Sequence, residues 1–279
     1  MHNCTVIIMA GGQGSRLKRL GRFVSKAALI VFDQPMLMRH LDHLLEAGFH
    51  SILISTNPLH YPMLDALVSS YRETIASEGI ADADLRVLNN PAHVDGPTEG
   101  LLAALRHVHT PRALMVLVDE FIRSNSFGAF AERVTDSHEY CEVSEWIDIE
   151  ESKRGGYVTV VDGFVVSHIE ATGILNAESY PSTGTSLMNT ADVIMDAEAF
   201  LQKQPGASSI GDFMEYRAAV LKRQVRALMG PDFVNINTPD FLLLANLYAA
   251  MERHGAGSTV YPEMARLADF MRKSIHEQY

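Results

Sequence analysis

The stretch MAGGQGSRLKRLGRFVSKAAL, residues 9–29, follows the apolar run CTVII near the start of the chain. A strand that enters a glycine-rich turn and then a helix is a general anion site, because backbone N–H groups and the positive end of the helix dipole converge there. An apolar run bounded by glycines is typical of a strand buried on both faces. The stretch therefore predicts a first strand over 4–10 and an anion-binding loop directly after it.

Two common phosphate-binding loops do not fit the spacing of this stretch. The P-loop requires the pattern G-x-x-x-x-G-K-[ST], and no Gly-Lys pair follows in register. The dinucleotide-binding pattern G-x-G-x-x-G is met by Gly12 and Gly14, but Leu17 occupies the third glycine position. What remains is G-G-x-G-S-R-L, followed ten residues after Arg16 by Lys26.

Strands and helices alternate through the first two-thirds of the chain. Patterns of apolar residues predict helices at 35–48, 61–78 and 98–109 and strands at 51–57, 84–90 and 113–121. Strands separated by helices of this size indicate a parallel sheet that is covered on both faces. The predicted fold class is therefore α/β, with three layers around a mainly parallel mixed sheet.

The pattern changes in the later part of the chain. YVTVVDGFVVSHIEA, residues 157–171, alternates around Asp162-Gly163 and predicts a β-hairpin. SLMNTADVIMDAEAF, 186–200, predicts a strand that runs into a helix, and FVNIN, 233–237, predicts a last strand. We expect the half that is built on the hairpin to return to the sheet. Thr238-Pro239 provides an N-cap and first position for the next helix. With a terminal helix over about 262–277, we expect a single domain, 1–279.

Composition and charge exclude several classes of function. The formal net charge of −11 at pH 7 argues against a nucleic-acid binder, which would need a basic face. No apolar run reaches the length of a membrane span, and no basic region precedes an apolar segment at the start, so we expect neither a membrane anchor nor a secretory signal. Cys4 and Cys141 lie far apart, which fits a reducing cytoplasm.

The loop and its lysine resemble the signature of the nucleotidyltransferases that make activated sugars, polyols and cofactors from a nucleoside triphosphate and a phosphorylated acceptor. The pattern of that family is G-G-x-G-[ST]-R-L, then Pro-Lys, and Ser25 stands here in place of the proline. The resemblance implies a nucleotide-binding half over about 1–125, an acceptor-binding half over 126–245 and C-terminal helices over 246–279. It also implies that the nucleotide is bound by Ala10, Gly11, Gly12, Gly14, Ser15 and Arg16.

A second segment extends the resemblance to the base of the nucleotide. NPAHVDGPTEGLLAAL, residues 90–105, is similar to the base-recognition segment of the molybdenum-cofactor branch of the family. The resemblance implies base contacts from Gly96, Pro97 and Thr98. The same residues also suit an ordinary helix start capped by Thr98, and both interpretations stay open.

The metal site is implied by two more segments. MVLVDEF, residues 115–121, places Asp119 at the carboxyl end of a buried strand, where open α/β sheets bind ligands and where the family holds Mg²⁺. The neighbouring Glu120 is expected to point away. FVNINTPDFLLLAN, 233–246, resembles the Asn-x-Asn-Thr-Pro segment of the same branch, which implies that Asn237 or Asn235 supplies a second oxygen. Mg²⁺ prefers one or two protein oxygens together with phosphate and water oxygens.

The acceptor site is implied by the hairpin and the strand after it. In the sugar enzymes of the family a glycine precedes a strand, a hairpin returns to a glutamate, and a later strand carries Asn-x-Gly. The equivalents here are Gly156, Glu170 and Asn189, with Ala171 and Ala191 in place of the family's lysine and glycine. An ordinary hairpin would also carry polar residues at such positions.

The mechanism that the resemblance implies is a transfer of the nucleoside monophosphate with release of pyrophosphate. Arg16 would bind the leaving pyrophosphate, Lys26 would bring the acceptor phosphate to the α-phosphate, and Asp119 would hold Mg²⁺. The expected partners are a nucleoside triphosphate and a small phosphorylated acceptor, such as a sugar 1-phosphate or a phosphonate, and a homo-oligomer is possible. Two alternatives stay open: an inactive nucleotide-binding regulator, and a glycosyltransferase on a similar sheet, which would need an Asp-x-Asp pair that LVDEF lacks.

Overall fold

The computed structural model describes residues 3–80, 82–145, 156–170, 178–204 and 209–278. The strands of the described residues are β1 (Cys4–Met9), β2 (Ile30–Val31), β3 (Gln34–Pro35), β4 (Ser51–Thr56), β5 (Asp84–Asn89), β6 (Arg112–Leu117), β7 (Glu120–Ile122), β8 (Glu139–Ser144), β9 (Gly156–Val161), β10 (Phe164–Glu170), β11 (Ser179–Asn189), β12 (Val225–Gly230) and β13 (Phe233–Asn235). The helices are α1 (Arg19–Phe23), α2 (Met36–Glu46), α3 (Tyr61–Ser77), α4 (Pro97–Leu105), α5 (Phe127–Ala131), α6 (Thr190–Lys203), α7 (Ile210–Glu215), α8 (Pro239–His254) and α9 (Tyr261–Gln278).

The main sheet orders its strands β5-β4-β1-β6-β11-β8-β12-β10-β9. The first four of these are parallel, and β11 runs antiparallel to both β6 and β8. From β1 the chain proceeds to β4 and β5 on one side and then returns to β6 on the other, so the strand order reverses beside β1. Met9 pairs with Leu117 at the carboxyl ends of β1 and β6, and such a switch point is where open α/β sheets bind ligands.

Helices cover both faces of the parallel part of the sheet. One buried cluster joins the sheet to α2, α3 and α5, and a second joins the opposite face to α4, α6 and α7. A third cluster packs β13 against α8 and α9. The predicted three-layer α/β class is confirmed. In the described part of the chain no helix is long and apolar enough to cross a bilayer.

The predicted hairpin and most predicted helices are confirmed. β9 and β10 pair antiparallel around Asp162 and Gly163, whose φ values of 51° and 80° are the positive pair that a two-residue hairpin turn of this type requires. Ser179 to Pro181 of β11 also pair with β9. The hairpin therefore closes back on β11 as well as on β12, so it is an integral part of the sheet.

One prediction about strands was wrong. The strand predicted over 113–121 is broken, since β6 ends at Leu117 and β7 begins at Glu120, with Asp119 in the turn between them. FVNIN forms the predicted last strand as β13, which pairs with β7 in a separate two-stranded sheet. The physical reason is that β11 already occupies the edge of β6, so β7 leaves the sheet and finds β13 as its partner.

A buried histidine lies under the end of β6. His40 of α2 is 3% exposed, packs 6.3 Å from the ring of Phe127, and its Nε2 finds no hydrogen-bond partner among the described residues. Burial lowers the pKa of His40 from 6.5 to about 4. Between pH 6.5 and 4 this histidine is protonated in the unfolded chain but stays neutral in the folded one. The free energy of unfolding therefore decreases as the pH falls through this range.

We expect the His40→Met variant to lose less stability on acidification than the unaltered protein. Between pH 7.5 and pH 5 the difference in the free energy of unfolding should change by about 2 kcal/mol. Urea unfolding at both pH values measures it, with His107→Gln, an exposed histidine, as the control. Burial raises the pKa of the Glu142 carboxyl, so this group adds stability on acidification in every variant. The test is therefore the difference in pH dependence between His40→Met and the unaltered protein. Equal losses in both proteins would contradict the assignment.

Candidate active site

The loop after β1 presents a row of free backbone donors. Among the described residues no partner is found for the backbone N–H groups of Gly11 through Ser15, and all five residues line one cleft. The carbonyl oxygens of Ala10 and Gly11 are hydrogen-bonded within the protein. Thr56 Oγ1 donates to Ala10 O at 3.1 Å, and Asn57 Nδ2 donates to Gly11 O at 2.8 Å. The loop therefore offers donors to the cleft and turns its acceptors inward, as an anion site requires.

Different structural constraints act on the three glycines of this loop. Gly14 has a φ of 63°, a left-handed conformation that a side chain disfavours. A Cβ on Gly12 would meet nothing within 4 Å, whereas a Cβ on Gly11 would lie 2.2 Å from the ring of His93. The sequence motif has glycine at all three positions, but of the three only Gly12 would direct a Cβ into open space.

The cleft has a volume of about 790 Å³ and lies at the carboxyl ends of β1 and β6. It gathers most of the predicted site residues into one place. These are Ala10, Gly11, Gly12, Gly14, Ser15, Arg16, Lys26, Gly96, Pro97, Asp119, Gly156, Asn235 and Asn237. Thr98 does not line it, since the side chain is buried and Oγ1 donates to Ser209 O at 3.0 Å.

Lys26 joins two predicted metal ligands in the cleft. Its Nζ donates to Asp119 Oδ2 at 2.6 Å and to Asn237 Oδ1 at 2.7 Å. The ammonium group and the carboxylate form a part-buried ion pair, with side chains 12% and 23% exposed. The two residues that the sequence assigned to the acceptor phosphate and to the metal therefore lie in direct contact.

Ser25 has the backbone conformation that a proline would impose before Lys26. Its φ is −59°, within the range that the proline ring imposes. Its hydroxyl accepts a hydrogen bond from Ala27 N at 3.3 Å and so caps the helical turn that carries Lys26. The side chain is 1% exposed, so packing holds the turn in place.

The oxygens around Lys26 fit a hard cation. β13 and β7 pair Asn235 with Glu120, and Ile236 N donates to Asp119 O at 2.8 Å, which brings the asparagines beside Asp119. Asn235 Oδ1 is buried and has no partner among the described residues. One carboxylate with amide oxygens suits Mg²⁺ that is also bound by phosphate and water. No group of three His, Cys, Asp or Glu side chains gathers in the part of the chain that the structure describes.

The cleft is also lined by residues that the sequence did not identify. Glu120 was expected to point away, which was wrong: it is 2% exposed and lines the cleft together with His168, Ser182 and Gly184. Gly184 has a φ of 67°, and a Cβ there would lie 2.4 Å from Leu117 and 3.1 Å from Glu120 Oε1. A glycine inside a strand often marks such a close approach, so this signal was available. Burial lowers the pKa of His168 to about 4.

The structure does not bring Asn189 to this cleft. Asn189 pairs with Arg112 at the start of β6, the end opposite to Asp119. Its side chain accepts hydrogen bonds from Ala191 N and Asp192 N and caps α6. Glu170 ends β10 opposite Gly156, and its side chain lies outside the described residues, as does Ala171.

The fold and this cleft are those of a nucleotidyltransferase-type domain. Residues 6–150 match the family model of the MobA-like NTP transferase domain, and the chain belongs to that family.

Curated relatives match shorter parts of the chain. A glucose-1-phosphate thymidylyltransferase of Mycolicibacterium smegmatis is 38% identical over 88 residues, which cover 28% of this chain and 31% of that protein. The chain thus spans about a third of the length of this relative.

Solved structures match nearly the whole fold. A Bacillus anthracis protein assigned as a glucose-1-phosphate thymidylyltransferase, in complex with a sucrose, superposes with a TM-score of 0.70 at 19% identity and covers 93% of this chain and 99% of that one. A UDP-glucose pyrophosphorylase complexed with UDP-glucose gives a TM-score of 0.74 at 14% identity and covers 89% and 99%. At these identities the likeness concerns the fold.

Proposed function

We propose that the chain transfers a nucleoside monophosphate from a nucleoside triphosphate to a sugar 1-phosphate or similar small phosphate, with release of pyrophosphate. The observation that carries this proposal is that Lys26, bonded to Asp119 and Asn237, lines the same cleft as the donor-lined loop of Gly11 to Ser15. Family membership and the names of the relatives support it. Because those names are sugar-phosphate enzymes, we propose a hexose 1-phosphate as acceptor and dTTP or UTP as donor.

The chain's own residues position the two substrates and neutralise their charge. The free N–H groups of the loop and the exposed guanidinium of Arg16 would bind the β- and γ-phosphates, which leave as pyrophosphate. The ammonium group of Lys26 would leave the Asp119 carboxylate to contact phosphate oxygens and screen the repulsion between the α-phosphate and the incoming phosphate. The attacking phosphate is already ionised near neutral pH, so no general base is needed.

The metal ion that the family implies would be held by Asp119 with Asn237 or Asn235. When bound there, Mg²⁺ supplies Lewis-acid stabilisation of charge on the phosphate oxygens. Lys26 keeps Asp119 and Asn237 together without it, through hydrogen bonds of 2.6 and 2.7 Å. The ligand side chains are thus already gathered before substrates arrive.

The test is pyrophosphate release with each of dTTP, UTP, CTP and GTP, together with Mg²⁺ and a panel of sugar 1-phosphates. We expect release that depends on both the triphosphate and the acceptor, fastest with dTTP or UTP and a hexose 1-phosphate. Omitting the acceptor is the control for simple hydrolysis. Binding of a triphosphate without release across the whole panel would favour a binding protein, and transfer of sugar from a nucleotide sugar would favour a glycosyltransferase.

A further inference from the structure

His93 lies between the two loops of the proposed nucleotide site. It belongs to the short helical turn Pro91–Val94, which connects β5 to α4, and it lines the cleft. Its Nε2 shares a hydrogen bond of 2.9 Å with Ser55 Oγ. Asn90 Nδ2 donates to the same Ser55 Oγ at 2.9 Å and to Gly100 O at 2.8 Å. The ring is therefore bonded to the end of β4, and Asn90 links that same serine to α4.

Two glycines, one in a loop and one in a helix, make room for this ring. A Cβ on Gly11, in the loop after β1, would lie 2.2 Å from His93 Cγ, and a Cβ on Gly100, in α4, would lie 2.3 Å from His93 Nδ1. Non-bonded carbon atoms do not approach so closely, so neither glycine tolerates a side chain while the ring is in place. Gly11 is thus required by a neighbouring side chain, because its Cβ direction leads to His93 and not into the open cleft.

The contact with Gly11 reaches the anion-binding donors directly. Gly11 is the first of the five residues whose N–H groups have no partner among the described residues. Its carbonyl oxygen is fixed by Asn57 Nδ2 at 2.8 Å, and the His93 ring blocks its Cα side. Burial lowers the pKa of His93, so at neutral pH the ring is uncharged and acts by packing instead of by attraction to phosphate.

We propose that His93 is a positioning residue for the nucleoside triphosphate, whose ring fixes the loop at Gly11 against the base-recognition segment at Gly96 to Gly100. The inference rests on the proposed function, since it assigns how that nucleotide site is held in shape. Without the ring, the loop loses the packing that aligns its N–H donors. Binding of the triphosphate must then also order the loop, and the conformational entropy lost in that step weakens binding.

The test is a double-mutant cycle read by binding of the Mg²⁺ complexes of the four triphosphates, by calorimetry and without acceptor. His93→Ala should weaken binding of the preferred triphosphate about ten-fold. Gly11→Ala alone should weaken it at least as much, because the new Cβ meets the ring. In the His93→Ala background Gly11→Ala should cost less than three-fold further, since the clash is gone.

Gly12→Ala is the matched control, because a Cβ there meets nothing within 4 Å, so its effect should add to that of His93→Ala without coupling. In turnover, His93→Ala should raise the KM for the triphosphate about ten-fold while kcat falls less than three-fold, a split that general loss of folded protein would not produce.

Additive effects of Gly11→Ala and His93→Ala, or triphosphate binding unchanged in His93→Ala, would overturn the assignment of His93 and leave the proposed function intact. If Gly11→Ala does not fold, the single variant His93→Ala and the double variant still decide between these outcomes. Failure of the unaltered protein to bind any of the four triphosphates would instead overturn the proposed function, and this inference with it.

Discussion

Replacing Lys26 by alanine is expected to lower the rate of pyrophosphate release by about a thousand-fold or more. The ammonium group is the only side-chain cation that contacts Asp119 and Asn237 among the described residues. The reaction brings two anionic phosphates together, and a nearby positive charge must screen their repulsion. Among the described residues, Arg16 is the other Lys or Arg side chain that lines the cleft, and we assign it to the leaving pyrophosphate.

Two controls make the Lys26 result specific. Arg22→Ala removes a positive charge from the neighbouring helix α1, where the side chain is exposed and does not line the cleft, so we expect turnover within about two-fold of normal. Lys26→Arg keeps the charge but not the compact geometry, and we expect it to stay at least a hundred-fold slow. The carboxylate of Asp119 is 23% exposed, so water can solvate it and the variant should fold. Near-normal turnover in Lys26→Ala would remove this lysine from the mechanism.

Local patterns in the sequence were sufficient for the elements of the first half. The predicted strands 51–57 and 84–90 correspond to β4 and β5, and the helix predicted over 61–78 corresponds to α3. Each signal is a run of apolar residues with a clear period, bounded by breakers. The position of the glycine-rich loop directly after β1 could be predicted for the same reason, because strand, glycines and turn are contiguous, and anion binding by it stays a prediction.

The contacts of Lys26 could not be predicted from local patterns. It lies 93 residues from Asp119 and 211 residues from Asn237 along the chain. The pairing of β7 with β13 brings Asn237 beside Asp119, and the pairing of β1 with β6 sets the segment that carries Lys26 at the same edge. The resemblance supplied the residues of the site but not their direct contact.

Misplaced residues have a common physical origin in strand geometry. Glu120 was expected to point away as the neighbour of Asp119 in one continuous strand, but the chain breaks at 118–119 and a new strand starts at Glu120. The sequence period shows which face a residue occupies and not which end of the strand reaches the cleft. Because β11 is antiparallel to β6, Gly184 reaches the cleft and Asn189 lies at the opposite edge.

Replacing Asp119 by asparagine is expected to slow pyrophosphate release by about a thousand-fold or more and to raise the Mg²⁺ concentration needed for half-maximal rate. The variant keeps the size of the side chain and can still accept a hydrogen bond from Lys26 Nζ, which lies 2.6 Å away. What it loses is the negative charge, and amide oxygens alone bind Mg²⁺ weakly. Because the shape is preserved, a loss of rate reports on charge and not on packing. The measurement is a Mg²⁺ titration of the rate at saturating substrates.

A reciprocal variant shows whether charge at this position controls the metal requirement. Asn237→Asp adds a second carboxylate on the other side of Lys26, 2.7 Å from Nζ, and should lower the Mg²⁺ concentration for half-maximal rate below that of the unaltered protein. Asp84→Asn, at an exposed carboxylate that starts β5, removes the same charge away from the cleft and should leave the titration unchanged. If Asp119→Asn and Asp84→Asn titrate alike, Asp119 is not a metal ligand. A lower requirement in Asn237→Asp together with a higher one in Asp119→Asn would follow only if both side chains contact the ion, because distant charges on an acidic protein are screened within about 10 Å at ordinary salt.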